Sequence, residues 1–264
     1  MRHLLISLLL PCVLQAASAA DIPEVARTCA EQNTPKTSSI QSIELHARDR
    51  SGYEQVLQAN VYLKRFADNQ ARLLMSFQEP VDVRGARFLI IQHSPRNDLY
   101  IYMPGLFKVR KVTSEKVSGS VLGTDFSYED FERLYGIITN LKAERFPDGM
   151  LDGRPVYVLN SYPDSSTSYV KIATYIDKQT CVPLKVDLYE NGYRLRKSLT
   201  VKPASIRAVG SIHVPGEMVM HDLRDKTETR LLVQGIRTDV KLDDSLFTPD
   251  RMKDATLPPV PGSQ

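Results

Sequence analysis

Few residues in this chain have types and spacings that could do chemistry. Beyond the first twenty residues there are four histidines, His46, His93, His213 and His221. They are isolated, and none forms the H-E-x-x-H pair that places two metal ligands on one helix face. His221 stands beside Asp222, but a surface or internally bonded histidine accounts for that pair. Neighbouring carboxylates occur at Asp243-Asp244 and Glu129-Asp130. Acid–base catalysis needs two carboxyl groups converging on one bond. Adjacent ones on a strand point to opposite faces, and in a turn they are solvated. There is no G-x-S-x-G nucleophile elbow and no glycine-rich phosphate loop. These residues predict a protein that is not an enzyme, with no catalytic residues, no metal site and no cofactor.

The cysteines carry a different chemistry. Residues 1–20 read as a cleaved signal peptide. Arg2 and His3 precede an apolar run from Leu4 to Leu10, and Ala16, Ala17, Ser18, Ala19 and Ala20 supply small residues for cleavage. The run is far shorter than the roughly 20 residues that span a bilayer. A lipidated cysteine needs a small residue before it, and Cys12 follows Pro11. Cys12 is therefore expected to leave with the signal. Cys29 and Cys181 remain, and an even count in an exported chain predicts a disulfide, the alternative being two buried thiols. Neither has the C-x-x-C spacing of a redox or zinc site.

The formal charge of +3 does not point to nucleic acid. Basic residues gather at Lys108, Arg110, Lys111 and Lys116, either as a solvated strand face or as a contact for acidic headgroups or a partner protein. With 42% hydrophobic and 25% charged residues, the composition is that of a globular domain.

The elements that would position a site are mostly strands. A short helix is expected over residues 22–30, ended by Asn33-Thr34-Pro35. Alternation of period two then marks strands at 55–63, 71–77, 88–91, 99–103 and 107–112, with turn residues between them. In 55–63, Leu57, Ala59, Val61 and Leu63 fall on one face. Ser127 and Asp130 have capping-box spacing for a helix carrying Phe131 and Leu134 on one side. Strands return at 156–159, 169–176, 184–189, 194–202, 219–223 and 227–233. Asn191-Gly192 is the strongest hairpin signal. The organisation expected is a signal peptide at 1–20, one β domain at 21–257 and a disordered Pro-rich tail at 258–264.

Several strings in order resemble a known family. They are Phe77-Gln78-Glu79-Pro80, Arg84-Gly85-Ala86-Arg87-Phe88-Leu89, Leu99 to Pro104, Val109-Arg110-Lys111-Val112 and Gly123 to Asp130, followed by Cys181-Val182-Pro183-Leu184-Lys185 and Leu246-Phe247-Thr248-Pro249. Together they resemble the LolA-like outer membrane lipoprotein-sorting proteins. The resemblance implies a mainly β (α+β) fold, an unclosed antiparallel β-barrel with a helical lid. It implies a periplasmic carrier of lipid or lipid-modified protein for transfer towards the outer membrane. Its partners would be an inner-membrane lipid-exporting pump or an outer-membrane acceptor, and no nucleic acid. The same fold could instead serve an envelope-stress or regulatory sensor, or a lipid hydrolase. Expected cavity residues are Leu57, Val61, Met75, Phe77, Phe88, Ile90, Tyr100 and Tyr102, with the caution that a one-residue slip inverts the face. Residues 119–124 are expected to be a mobile loop. Residues 127–135 are expected to form a lid presenting Phe126, Tyr128 and Phe131, or else a fixed helix closing the barrel end.

Overall fold

The chain enters its sheet in the middle. The computed structural model describes residues 23–66, 70–94, 96–113, 118–137, 142–163, 167–254 and 256–261. The expected signal peptide and Lys116 lie outside them. After helix α1 (Glu24–Gln32), strand β1 (Ser38–Arg48) is followed by an antiparallel walk outward through β2 (Glu54–Arg65), β3 (Ala71–Glu79), β4 (Arg87–Ile91), β5 (Asp98–Met103) and β6 (Lys108–Lys111). The chain then crosses the sheet, carrying helix α2 (Tyr128–Leu134). It resumes at the far edge with β7 (Ala143–Leu151) and walks back through β8 (Arg154–Ser161), β9 (Lys171–Asp177), β10 (Pro183–Glu190), β11 (Arg194–Val201), β14 (Glu217–Asp222) and β15 (Thr227–Thr238). A small ribbon, β12 (Arg207–Val209) with β13 (Ile212–Val214), interrupts the return. β15 pairs with β1 and completes a 13-stranded antiparallel sheet. The edge strands β6 and β7 do not pair with each other, so the sheet is not closed. The expected mainly β, unclosed architecture is the one found.

Side-chain alternation explains most of this. Leu57, Ala59, Val61 and Leu63 of β2 are all buried on the face that α2 crosses. Registers Val61↔Met75 and Met75↔Phe88 continue that face across β3 and β4. The opposite face carries Tyr62, Leu74, Leu89 and Tyr102, and the chain after β15 covers it with Leu242, Leu246, Phe247, Met252 and Val260.

β1 was not expected from alternation, and the reason is visible. Its first half contains Ser38, Ser39, Gln41 and Ser42, which look like a loop. Ser38, Ser39 and Gln41 are nevertheless buried. Buried hydroxyls need partners, and for two of these serines they come from far along the chain: Ser38 donates to the Val240 carbonyl, and Ser42, which is partly buried, donates to the Pro261 carbonyl at 2.7 Å. β7 was hidden because Asp148-Gly149 reads as a turn; it is instead a bulge within the strand.

The tail also departs from expectation over residues 258–261. Tyr62 donates to the Pro258 carbonyl at 2.8 Å, Arg237 to that of Pro259 at 2.9 Å, and Val260 is buried. Proline has no N–H to satisfy, so a Pro-rich strap can lie on the protein by offering carbonyls alone. Residues 262–264 fall outside the described residues.

Candidate functional site

The segment between the sheet edges is held at many points. The capping box of α2 is present: Ser127 Oγ accepts from Asp130 N–H at 3.3 Å, and Asp130 Oδ2 accepts from Ser127 N–H at 2.8 Å. Asp130 also receives the Lys197 ammonium at 2.8 Å and the Tyr169 hydroxyl at 2.8 Å. Lys197 donates to the Asp125 carbonyl at 2.7 Å. The Asp125 carboxylate accepts from Thr229 at 2.7 Å and from Thr227. Burial raises the Asp125 and Glu129 carboxyls above their usual range, and Ser168 donates to Glu129 from backbone and side chain. The start of α2 is thus pinned to the returning half of the sheet.

The loop before α2 is a tight turn. Val121 is wholly buried, its N–H donates to the Phe126 carbonyl at 2.9 Å, and Thr124 Oγ1 donates to the Val121 carbonyl at 2.8 Å. Gly123 sits at φ +83°, where only glycine is unstrained.

α2 fills the outgoing half of the sheet with aromatic rings. Phe131 lies 5.7 Å from Phe88 and 5.3 Å from Phe126, and Tyr128 meets Phe88 edge to face at 5.3 Å. Leu57, Val61, Met75, Phe77, Phe88 and Ile90 pack beneath them as solid core. The expected phase is right for these six. It slips by one in β5, because Tyr100 and Tyr102 face the strap while Ile101 and Met103 face α2. None of the eight lines the apolar cavity on the returning half of the sheet.

The returning half is hollow. A cavity of about 380 Å³ lies between it, α1 and the end of α2. Its wall is formed by Ile172 of β9, Leu188 of β10, Leu199 and Val201 of β11, Met218 and Met220 of β14, and Leu231 and Val233 of β15. α1 contributes Ala26, Cys29 and Ala30, and the α2 region contributes Phe126, Arg133, Leu134 and Tyr135. Of the expected lid residues, Phe126 borders the cavity, while Tyr128 and Phe131 pack into the filled half. The expected Cys29–Cys181 disulfide is present, and both of its residues border the cavity. It fixes α1 over the strands.

Polar groups collect where β2, β1 and the end of α2 meet: Arg65, Ser39, Gln41, Arg133 and Tyr135. Tyr135 donates to Gln41 Oε1 at 3.2 Å, and burial raises its phenol above the usual range. Burial lowers the Arg65 guanidinium. None of these residues stood out in the sequence as a site; the usable signal was a lone Arg ending an otherwise apolar-faced strand. His46, His93, His221 and the pair Asp243-Asp244 do not border the cavity. His213 and Asp130 do. Among the described residues no cluster of ligating side chains could hold a metal, and no helix is long and apolar enough to cross a membrane.

Glu132, beside Arg133, has its carboxyl pushed up to about 7, chiefly by burial, with Asn97 and Arg133 opposing the rise. A raised folded value makes stability fall as pH rises. Below pH 4.5 both folded and unfolded chains hold the proton. Between there and about 7 the unfolded chain releases it first, so the folded state loses ground. Glu132→Gln should flatten this part of the profile, a difference of roughly 1–2 kcal/mol after allowing for partial exposure. Urea unfolding at pH 4.5 and pH 8 checks it; an identical slope in the variant would remove Glu132 as the cause.

Comparisons with known proteins agree with the fold. A family model described as uncharacterized-protein-like matches residues 69–254. A domain from Vibrio parahaemolyticus, described as outer membrane lipoprotein-sorting, is 23% identical; the alignment covers 88% of this chain and 97% of that one, with a TM-score of 0.79. A DUF1329 family protein from Desulfovibrio piger is 22% identical over 87% of this chain and 96% of its own, with a TM-score of 0.81. A LolA superfamily protein from Nitrosomonas europaea is 18% identical over 89% and 99%, with a TM-score of 0.68. No similar sequence is found among curated proteins. With the family model spanning more than half of its length, the chain belongs to the family that this model describes, and its fold is that of the LolA-like lipoprotein-sorting proteins.

Proposed function

We propose that this protein is a periplasmic carrier that takes acyl chain from a lipid or a lipid-modified protein into the cavity for transfer towards the outer membrane. One observation carries the reading: half of the sheet is filled by α2, while the other half keeps an apolar cavity of about 380 Å³. That volume lies in the range, roughly 300–1,000 Å³, of sites that hold small apolar ligands. Each methylene moved from water gains roughly 0.8 kcal/mol. Ten would supply roughly 8 kcal/mol, a micromolar dissociation constant before ordering costs. The lipoprotein-sorting description of a protein with this fold supports the reading. An inner-membrane lipid exporter and an outer-membrane acceptor are the partners between which such a carrier would work.

Native mass spectrometry of protein taken from its own periplasm tests this directly, and an acyl species released intact is the expected result. Leu199→Trp, placed in the cavity wall, should weaken binding of the methyl ester of cis-parinaric acid by about tenfold, or roughly 1.4 kcal/mol. Unchanged affinity in a folded variant would count against the cavity as the binding place. Turnover of the lipid would favour a hydrolase.

A further inference from the structure

Resting on the carrier reading, we propose that the end of the cavity between Arg65 and Arg133 is a head-group site, and that the cargo is an acyl amphiphile with an anionic oxygen head, a carboxylate or a phosphate. Wholly buried side-chain nitrogens and oxygens rarely go without a hydrogen bond. Ser39 Oγ, Arg65 Nε, Arg133 Nε and His213 Nδ1 are four such atoms without a partner among the described residues. All four belong to residues that border the cavity. Four unbonded polar atoms on residues that line one cavity mark that cavity as a place where ligand atoms complete the bonding.

Two of the four are guanidinium nitrogens, brought together from distant parts of the chain. Arg65 ends β2, and Arg133 lies in the last turn of α2. Arg65 Nη2 reaches the end of α2, lying 3.5 Å from where a Cβ on Gly136 would stand. Among the described residues neither arginine has an ion-pair partner within 4.0 Å. Arg133 has the Tyr169 ring at 5.9 Å. Its helix neighbours Glu129 and Glu132 attract it through space only, because Glu129 is bonded by Ser168 and Glu132 by Asn97. Asp130 also borders the cavity, but Lys197, Tyr169 and Ser127 occupy its oxygens. The apolar wall therefore ends in two positive charges with no carboxylate committed to them. A guanidinium presents a planar fork of donors that matches carboxylate and phosphate oxygens. An anionic head would neutralise charge that is otherwise costly to bury.

Fluorescence titration of delipidated protein with cis-parinaric acid and with its methyl ester reads the head group separately from the chain. The acid should bind about tenfold or more tightly than the ester, as one charge-assisted hydrogen bond predicts. Arg65→Gln with Arg133→Gln should reduce that preference to about twofold or less, by weakening acid binding and sparing the ester. Arg65→Lys with Arg133→Lys should keep part of it, and this pair serves if the glutamine pair fails to fold. Displacement of the acid by lysophosphatidic acid but not by palmitate would assign a phosphate head; the reverse would assign a carboxylate. Equal binding of acid and ester by the unaltered protein would overturn the head-group site and leave the carrier reading intact. So would an equal loss of both probes in the folded variants. Binding of neither probe would overturn both.

Discussion

Replacing Cys29 and Cys181 together by alanine is expected to lower stability by about 4–5 kcal/mol. The bond joins residues 152 apart in sequence. A crosslink over so long a loop removes much of the freedom of the unfolded chain. It also holds α1, which has nine residues and is too short to persist without packing. Apart from the disulfide, that end of the chain is held by Asn33, whose amide donates to the Thr180 carbonyl at 2.7 Å and whose Oδ1 accepts from His213 N–H at 2.9 Å. Chemical unfolding with and without reductant measures the loss. Intact mass of freshly isolated protein tests the bond itself: two free thiols would remove the basis of the expectation. Because α1 borders the cavity, the alanine pair should also speed exchange of a bound acyl probe. A stability change below about 1 kcal/mol would mean that the unfolded chain is already constrained in another way.

Asp130→Ala should cost about 3–5 kcal/mol, because it leaves Lys197 as a buried cation without its carboxylate. Both side chains are almost fully buried, and their contact is 2.8 Å. The same change removes the reciprocal half of the capping box and the acceptor for Tyr169. The physical claim is about pairing rather than charge. Asp130→Leu combined with Lys197→Met removes both ions and should recover much of the loss, since apolar replacement of a buried pair is often near neutral. Urea denaturation of the two singles and the double decides the point. Additive losses would show that the residues act separately, and recovery in the double would show the coupling. Loss of the anchor should also loosen α2 from the filled half of the sheet. An acyl probe then has a second route in, and its association rate should rise. An unchanged rate in Asp130→Ala would mean that α2 stays seated on its aromatic contacts alone.

Local rules in the sequence determined much of the scaffold. Alternation placed Leu57, Val61, Met75 and Phe88 on a common face, and they share one. The spacing of Ser127 and Asp130 located the helix start. Two cysteines in a chain read as exported gave the disulfide. Each of these signals acts over a few residues or depends on a simple count. What escaped depended on residues far apart. β1 looked polar because Ser38 and Ser42 are satisfied by carbonyls about 200 residues later. The 258–261 segment looked disordered because its own composition does not reveal the groove that receives it. The face of β5 was misjudged because Tyr100 and Tyr102 are as apolar by pattern as Leu99 and Ile101, and only pairing with β4 sets the phase. The location of the cavity was the least legible feature. An apolar strand face carries the same pattern whether side chains or a ligand cover it. Only the path of the crossing segment, which brings Tyr128 and Phe131 over one half and leaves the other open, decided which strands enclose empty space. The arginines at the cavity end became a site for the same reason. Arg65 and Arg133 are ordinary charges in sequence, and tertiary burial without a carboxylate partner is what makes them unusual.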